Sequence, residues 1–238
     1  MKQSQFYYLL RRGLLKSMSV AREGLVMFNK FTTAGISHPA QGSAEFDGSS
    51  DYLTFPTFFS VDEISVSYWV NRGSVTGATN NHMFFQGTGY AGNGFYTEFN
   101  SLGQFQIIVG STIIASTTQN TGTNQWGYVS LTYDGTNLKV YVNGSLENTQ
   151  AVTITTPTTF SQFGRYAAIS NYYKGNAANL AIWNRALSSD EINAVMWKGY
   201  QSLTDNEKSG LQAWYSLDNI DGTNVPDSSG NGNDGTAN

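Results

Sequence analysis

Two hydrophobic periods divide the chain. Near the start, Phe6, Leu9, Leu10 and Leu14, followed by Met18, recur at three- and four-residue spacing, the mark of a helix with one apolar face. Arg11, Arg12 and Lys16 lie off that stripe, and Gly13 weakens it. Such a helix either packs on its own chain or acts as an arm that docks on a neighbouring subunit through Phe6, Leu9, Leu10 and Leu14. From Ala44 onward apolar residues alternate with polar ones, as on strands with one buried face. Strands are predicted over 44–47, 52–55, 64–70, 82–86, 94–100, 104–109, 112–116, 126–133, 138–142, 160–163 and 179–183. They are rich in Val, Ile, Thr, Tyr and Phe and are punctuated by Gly, Asn and Ser. Many short strands with little helix between them predict an all-β sandwich or barrel.

The clearest hairpin runs from Trp126 to Asn143. Val129, Leu131 and Tyr133 share one face, and Leu138, Val140 and Val142 supply the matching face on the return. Asp134-Gly135 and Asn143-Gly144 offer the positive-φ residues that tight reversals need. Trp126 and these apolar faces are assigned to the core. Beyond Trp183 the pattern turns helical for two short stretches. Ser188 to Glu191 and Thr204 to Glu207 both have capping-box spacing, and Ile192, Val195, Met196 and Tyr200 give the first stretch an apolar stripe. A last strand is predicted over 211–217, with Leu211, Ala213, Tyr215 and Leu217 on one face. It pairs within its own sandwich, or it is donated to a neighbour. The rest of the tail is Gly, Asn, Ser, Thr and Asp, the composition of loops. The organisation is thus a helical arm or assembly segment over 1–40 and a sandwich over 41–238 that includes the tail 211–238.

Composition narrows the functions. The formal net charge is −4 and no basic stripe runs along the chain, so nucleic acid is not an expected partner. With no cysteine there are no disulfides or thiolate metal sites, and two histidines are too few for a zinc site of imidazoles. No apolar run approaches the ~20 residues of a membrane-spanning helix. Arg11-Arg12 has the look of a twin-arginine export motif, but Arg22 and Glu23 interrupt the apolar segment that should follow.

Three stretches resemble the laminin-G-like branch of the concanavalin A-like superfamily. They are Phe46-Asp47-Gly48-Ser49-Ser50-Asp51-Tyr52-Leu53, the hairpin from Leu131 to Gly144 with Trp126 ahead of it, and Ile182-Trp183-Asn184-Arg185-Ala186-Leu187-Ser188 with Glu191-Ile192 after it. Their order and spacing agree with the family. The resemblance implies two antiparallel sheets in a jelly-roll sandwich. Leu211 to Asp218, followed by Asp227 to Gly235, is similar to the family's opening strand and loop, yet here it comes last. That order implies a permuted sandwich or an exchanged strand.

Four constellations bear on chemistry. Glycosidases of this fold resemble one another in a strand of alternating carboxylates, which places an attacking and a proton-donating group on one face. Glu45-Phe46-Asp47 begins such a strand, but Ser49 stands where the third acid belongs, so no enzyme is expected. Gly87-Thr88-Gly89-Tyr90-Ala91-Gly92 matches a dinucleotide fingerprint in letters only, because a strand pattern follows it where a helix N-terminus is required. Asp227, Asn231, Asn233 and Asp234 have the oxygen rhythm of a calcium loop. Similar loops in the family hold calcium, and a set of Asx-turns is the other reading. Tyr90, Tyr172 and Tyr173 fall in predicted loops, where tyrosine rings can stack on sugars. The expected function is a non-catalytic structural or adhesive component of a virus particle, assembled as a homo-oligomer or with other virion proteins. The alternative is a carbohydrate-binding module of a secreted or cell-surface protein.

Overall fold

The computed structural model describes residues 42–56, 62–73, 81–86, 95–109, 112–121, 123–154, 161–166 and 171–238. The predicted arm with Phe6, Leu9, Leu10 and Leu14 lies outside them. The described residues form two antiparallel sheets and a few short helices. One sheet has the order β1-β14-β3-β8-β9-β10, with β15 also on β14. Its strands are β1 (Ala44–Asp47), β3 (Ile64–Arg72), β8 (Trp126–Tyr133), β9 (Asn137–Val142), β10 (Ser145–Ala151), β14 (Lys174–Trp183) and β15 (Leu211–Tyr215). The other sheet has the order β16-β17-β2-β11-β4-β5-β6-β7. It comprises β2 (Leu53–Phe55), β4 (Asn81–Gln86), β5 (Phe95–Phe99), β6 (Gln104–Val109), β7 (Thr112–Asn120), β11 (Ser161–Phe163), β16 (Asn224–Val225) and β17 (Gly235–Ala237). A separate two-stranded ribbon pairs β12 (Arg165–Tyr166) with β13 (Asn171–Tyr172). Among the described residues no helix is long and apolar enough to cross a membrane.

The main core lies between the sheets and follows the alternation of the sequence. Val66, Tyr68 and Val70 of β3 meet Val129, Leu131 and Tyr133 of β8 and Leu138, Val140 and Val142 of β9, all buried. From the facing sheet come Leu53, Phe55, Phe95, Phe99, Phe105 and Phe163. The predicted turn chemistry is in place. Asn143 and Gly144 both have positive φ, and the Asp134 carboxylate accepts from the amides of Thr136 and Asn137.

A second core sits on the outer face of the first sheet, where Trp69, Tyr128, Tyr141, Ala178 and Trp183 would otherwise meet water. The helical segments cover it: α1 (Ser189–Val195), a 3-10 turn (Tyr200–Ser202) and α2 (Asp205–Lys208). Both helices start with complete capping boxes, Ser188 with Glu191 and Thr204 with Glu207. Docking is specified by two buried indoles that need acceptors. Trp69 Nε1 donates to the Met196 carbonyl at 2.9 Å, and Trp183 Nε1 donates to the Glu207 carbonyl at 2.8 Å.

Several expectations are corrected. Trp126 is only half-buried, at the margin of this second core. β14 begins five residues before the predicted 179, because Gly175 and Asn176 keep strand pairing with both β1 and β3. β10 was not predicted: its mostly exposed Ser-Leu-Glu-Asn-Thr-Gln-Ala has no buried face to set a period of two. The tail contains two short strands, β16 and β17, where only loop was expected. β15 pairs with β14 inside the chain. A register shift between Ile182 and Trp183 sends Leu211 to the outer core with Trp214, while Ala213, Tyr215 and Leu217 enter the main one.

Candidate functional site

One edge of β14 is shared. β3 runs along one side of it, and on the other β1 takes Lys174 to Ala177 while β15 takes Leu180 to Trp183. Between them Asn179 adopts φ +49 and donates its amide to the Ser216 carbonyl. Near the start of β14 the β1–β2 loop, the β11–β12 connection and the ribbon come together. Asp47 organises the loop. Its carboxylate accepts from the amides of Ser49, Ser50 and Asp51 and from the hydroxyls of Ser49 and Ser50. The Ser49 hydroxyl and the Ser50 and Ser49 amides hold its pKa well below the usual carboxylate range. These bonds make Asp47 the organiser of the turn.

Tyr52 follows this loop and is anchored by the last residue. Its amide donates to the Asn238 carbonyl at 3.2 Å, and the Asn238 amide donates back at 2.9 Å. Arg165 and Tyr172 face each other across the ribbon. Together these residues build a tier. The Arg165 guanidinium carbon lies 4.4 Å from the centre of the Tyr52 ring and 5.7 Å from that of Tyr172. The two rings are 6.4 Å apart. All three side chains are half-buried, and Arg165 Nε is shielded from water without a hydrogen-bond partner. A cation held between two aromatic faces is ready-made for a ligand that offers both a hydrocarbon face and an anionic or hydroxyl edge.

The structure separates the predicted tyrosines. Tyr172 belongs to the tier. Tyr173 is fully buried against Phe46, with ring centres 5.6 Å apart, and donates its hydroxyl to the Asn176 carbonyl. Burial pushes its pKa up. It is a core residue, placed between β13 and β14 and packed into the main core, while Tyr172 is half-buried. Tyr90 and the Gly87 to Gly92 stretch lie outside the described residues, while the strand expected soon after them is present as β5. Tyr52 and Arg165 went unread, since only the ribbon register brings Arg165 to Tyr172.

The Asp227 loop is a different device. Asp227 Oδ1 accepts from the amides of Trp214 and Ser229, and Oδ2 accepts from the Ser229 hydroxyl and the Asn233 amide. Asp234 accepts from the Asp227 amide at 2.8 Å. The carboxamides of Asn231 and Asn233 both donate to the Gln212 carbonyl. These residues hold the tail loop against β15. Both carboxylate oxygens of Asp227 already accept two protein donors each, so a calcium ion at this loop would compete with those bonds.

A family model described as the concanavalin A-like lectin/glucanases superfamily matches residues 47–193. The chain belongs to that superfamily. The matched stretch ends before β15. No curated protein sequence matches the chain. Among solved structures, a Bacteroides ovatus protein described provisionally as carbohydrate-binding has a TM-score of 0.64 at 20 % identity, covering 82 % of this chain and 57 % of that one. The chain therefore spans a little over half of that protein. Domain 4 of an extracellular arabinanase of Geobacillus stearothermophilus, solved with arabinotriose, has a TM-score of 0.54 at 21 % identity, covering 65 % of this chain and 76 % of that one. A heptameric pentraxin of Limulus polyphemus has a TM-score of 0.50 at 18 % identity, covering 63 % and 78 %. At these identities the likeness establishes the fold: a lectin-like β-sandwich.

Proposed function

We propose that the sandwich is a non-catalytic carbohydrate-binding module. The observation that carries this reading is the Tyr52–Arg165–Tyr172 tier, half-buried and so partly open to a ligand, which lies beside the start of β14. Support comes from the fold, which is shared with the arabinotriose-bound arabinanase domain and the Bacteroides ovatus protein. Sugars offer apolar C–H faces to tyrosine rings and hydroxyl or carboxylate edges to a guanidinium. Nothing in the tier resembles an acid–base pair, and Asp47, the nearest strand carboxylate of the sequence motif, is fixed as a turn acceptor.

The test is a glycan array, with neutral and acidic sugars, probed with the full chain and with Y172A and R165A. Binding that falls in both variants while their melting temperatures hold supports the reading. Release of reducing sugar by the wild-type chain would replace it with a hydrolase. A role in a virus particle is the second reading. It rests on the apolar stripe of Phe6, Leu9, Leu10 and Leu14 and predicts that the protein co-purifies with particles and loses assembly when that stripe is made polar.

A further inference from the structure

The outer face of the first sheet is covered by helices over only part of its length. The last covered row is Ala178–Trp69–Tyr128, joined by direct register across β14, β3 and β8. The next row on the same face reads Glu45, Asn176, Asn71, Trp126, again in direct register across β1, β14, β3 and β8. Glu45 is exposed and the other three are half-buried. We infer that this row is a binding site for a neutral oligosaccharide laid across the strands. The inference rests on the carbohydrate-binding reading and adds to it a second site, with its own ligand class.

Three observations carry it. Asparagine is a poor strand residue, yet Asn71 and Asn176 face each other inside strands β3 and β14, where neither is needed for the core. Departures of this kind mark function more often than folding. Trp126 stands beside Asn71 and is half-buried, at the edge of a cap that buries its neighbours Trp69 and Tyr128. Trp197 packs against Trp69 in a tilted arrangement, with ring centres 5.1 Å apart, and is also half-buried, so the cap ends in an aromatic rim. The chemistry of the row is complementary to a sugar. Two carboxamides each offer donors and an acceptor, Glu45 offers acceptors, and the indole offers a flat apolar face. Three strand spacings make the row about 14 Å long, the reach of a short oligosaccharide.

The charge pattern selects a neutral ligand. Glu45 is the one acidic side chain of the row and disfavours a ligand carboxylate or sulfate. In the following row Asp47 and Lys174 face each other, so no net positive field offsets it. The row is also too narrow and polar to serve as a protein interface, which is built around a buried apolar centre.

The deciding experiment titrates the full chain with arabinotriose, cellotriose, maltotriose and 3′-sialyllactose, reading affinity by calorimetry and the tryptophan indole N–H signals by NMR. At least one neutral trisaccharide is expected to bind and to shift the Trp126 indole signal. N71A/N176A should lower that affinity about tenfold or more, through two lost side-chain hydrogen-bonding groups, with an unchanged melting temperature. W126F should retain part of the binding. If the double variant fails to fold, the Trp126 indole signal of the wild-type chain decides. Neutral sugars that bind at full strength to N71A/N176A, or without moving Trp126, overturn the row and leave the carbohydrate-binding reading intact. A chain that binds none of the four, nor any sugar of the array, overturns both.

Discussion

Gly175 shows how one residue fixes the edge on which the tier is built. Its φ is +140, a value closed to ordinary side chains. An added methyl would press on the Asn71 carbonyl oxygen and lie 2.8 Å from the Gly73 nitrogen. Because those obstacles are backbone, Gly175→Ala should cost about 1–3 kcal/mol, read by denaturant unfolding. Leu131 is the core counterpart. It is 1 % exposed between the sheets, and Leu131→Ala should cost roughly 2–5 kcal/mol; a loss of a few tenths would contradict its place. Leu131 was legible because its neighbours alternate cleanly. Tyr172 and Tyr173 were not, because two aromatic residues in succession give no sign of which one turns inward. Trp126 misled for a related reason. The period put it on the right strand, but the extent of the helical cap, which decides its burial, is a tertiary fact.

At the scale of elements, the helical cap and the tail loop are the parts that solution conditions can probe. Burial raises the Glu207 carboxyl, but bonds from Lys198, at 2.6 Å, and from Thr204 outweigh it and leave its pKa below the ordinary value. A carboxylate with a lowered folded pKa adds stability above its unfolded value of about 4.3, and that stability fades as pH falls through the folded value. The melting temperature should therefore fall on acidification below about pH 4.3, and less steeply in E207Q than in the parent. For the tail loop, Asp227→Ala strands the amide of Trp214 in its half-buried setting and should cost about 1–3 kcal/mol. Excess chelator should leave the melting curve of the parent unmoved. A chelator-induced drop that calcium reverses would mean that the ion displaces these bonds. Both capping boxes and the tail strand were legible, since caps and alternation are local. The register shift that divides Leu211 from Ala213 was not, for it depends on one extra residue in β15, Gln212, between the partners of Ile182 and Trp183.

For the whole molecule, the tail is part of the sandwich: β15 completes the edge of one sheet and β17 joins the other beside β2. Deleting 210–238 exposes the edge of β14, uncovers Phe55, which stacks on Tyr215 at 4.4 Å, and leaves Trp183 without Trp214. The truncated chain should aggregate or fail to show a cooperative melt. Rescue by an added 210–238 peptide would show that the strand can also be supplied in trans. The two-sheet architecture was legible from many short strands, whereas the shared edge of β14 was not, because it joins segments far apart in the sequence.

That shared edge has a mechanical meaning. β1 and β15 abut the same strand from opposite ends of the sandwich sequence, and Asn238 is clasped to Tyr52, just ahead of β2. A pull transmitted along the tail meets resistance twice, first from the short β16–β17–β2 pairing and then from the longer seam of β15 on β14. The weaker latch yields first. It is also the one that holds Tyr52, so tension on the tail would loosen the Arg165 tier before it opens the sandwich.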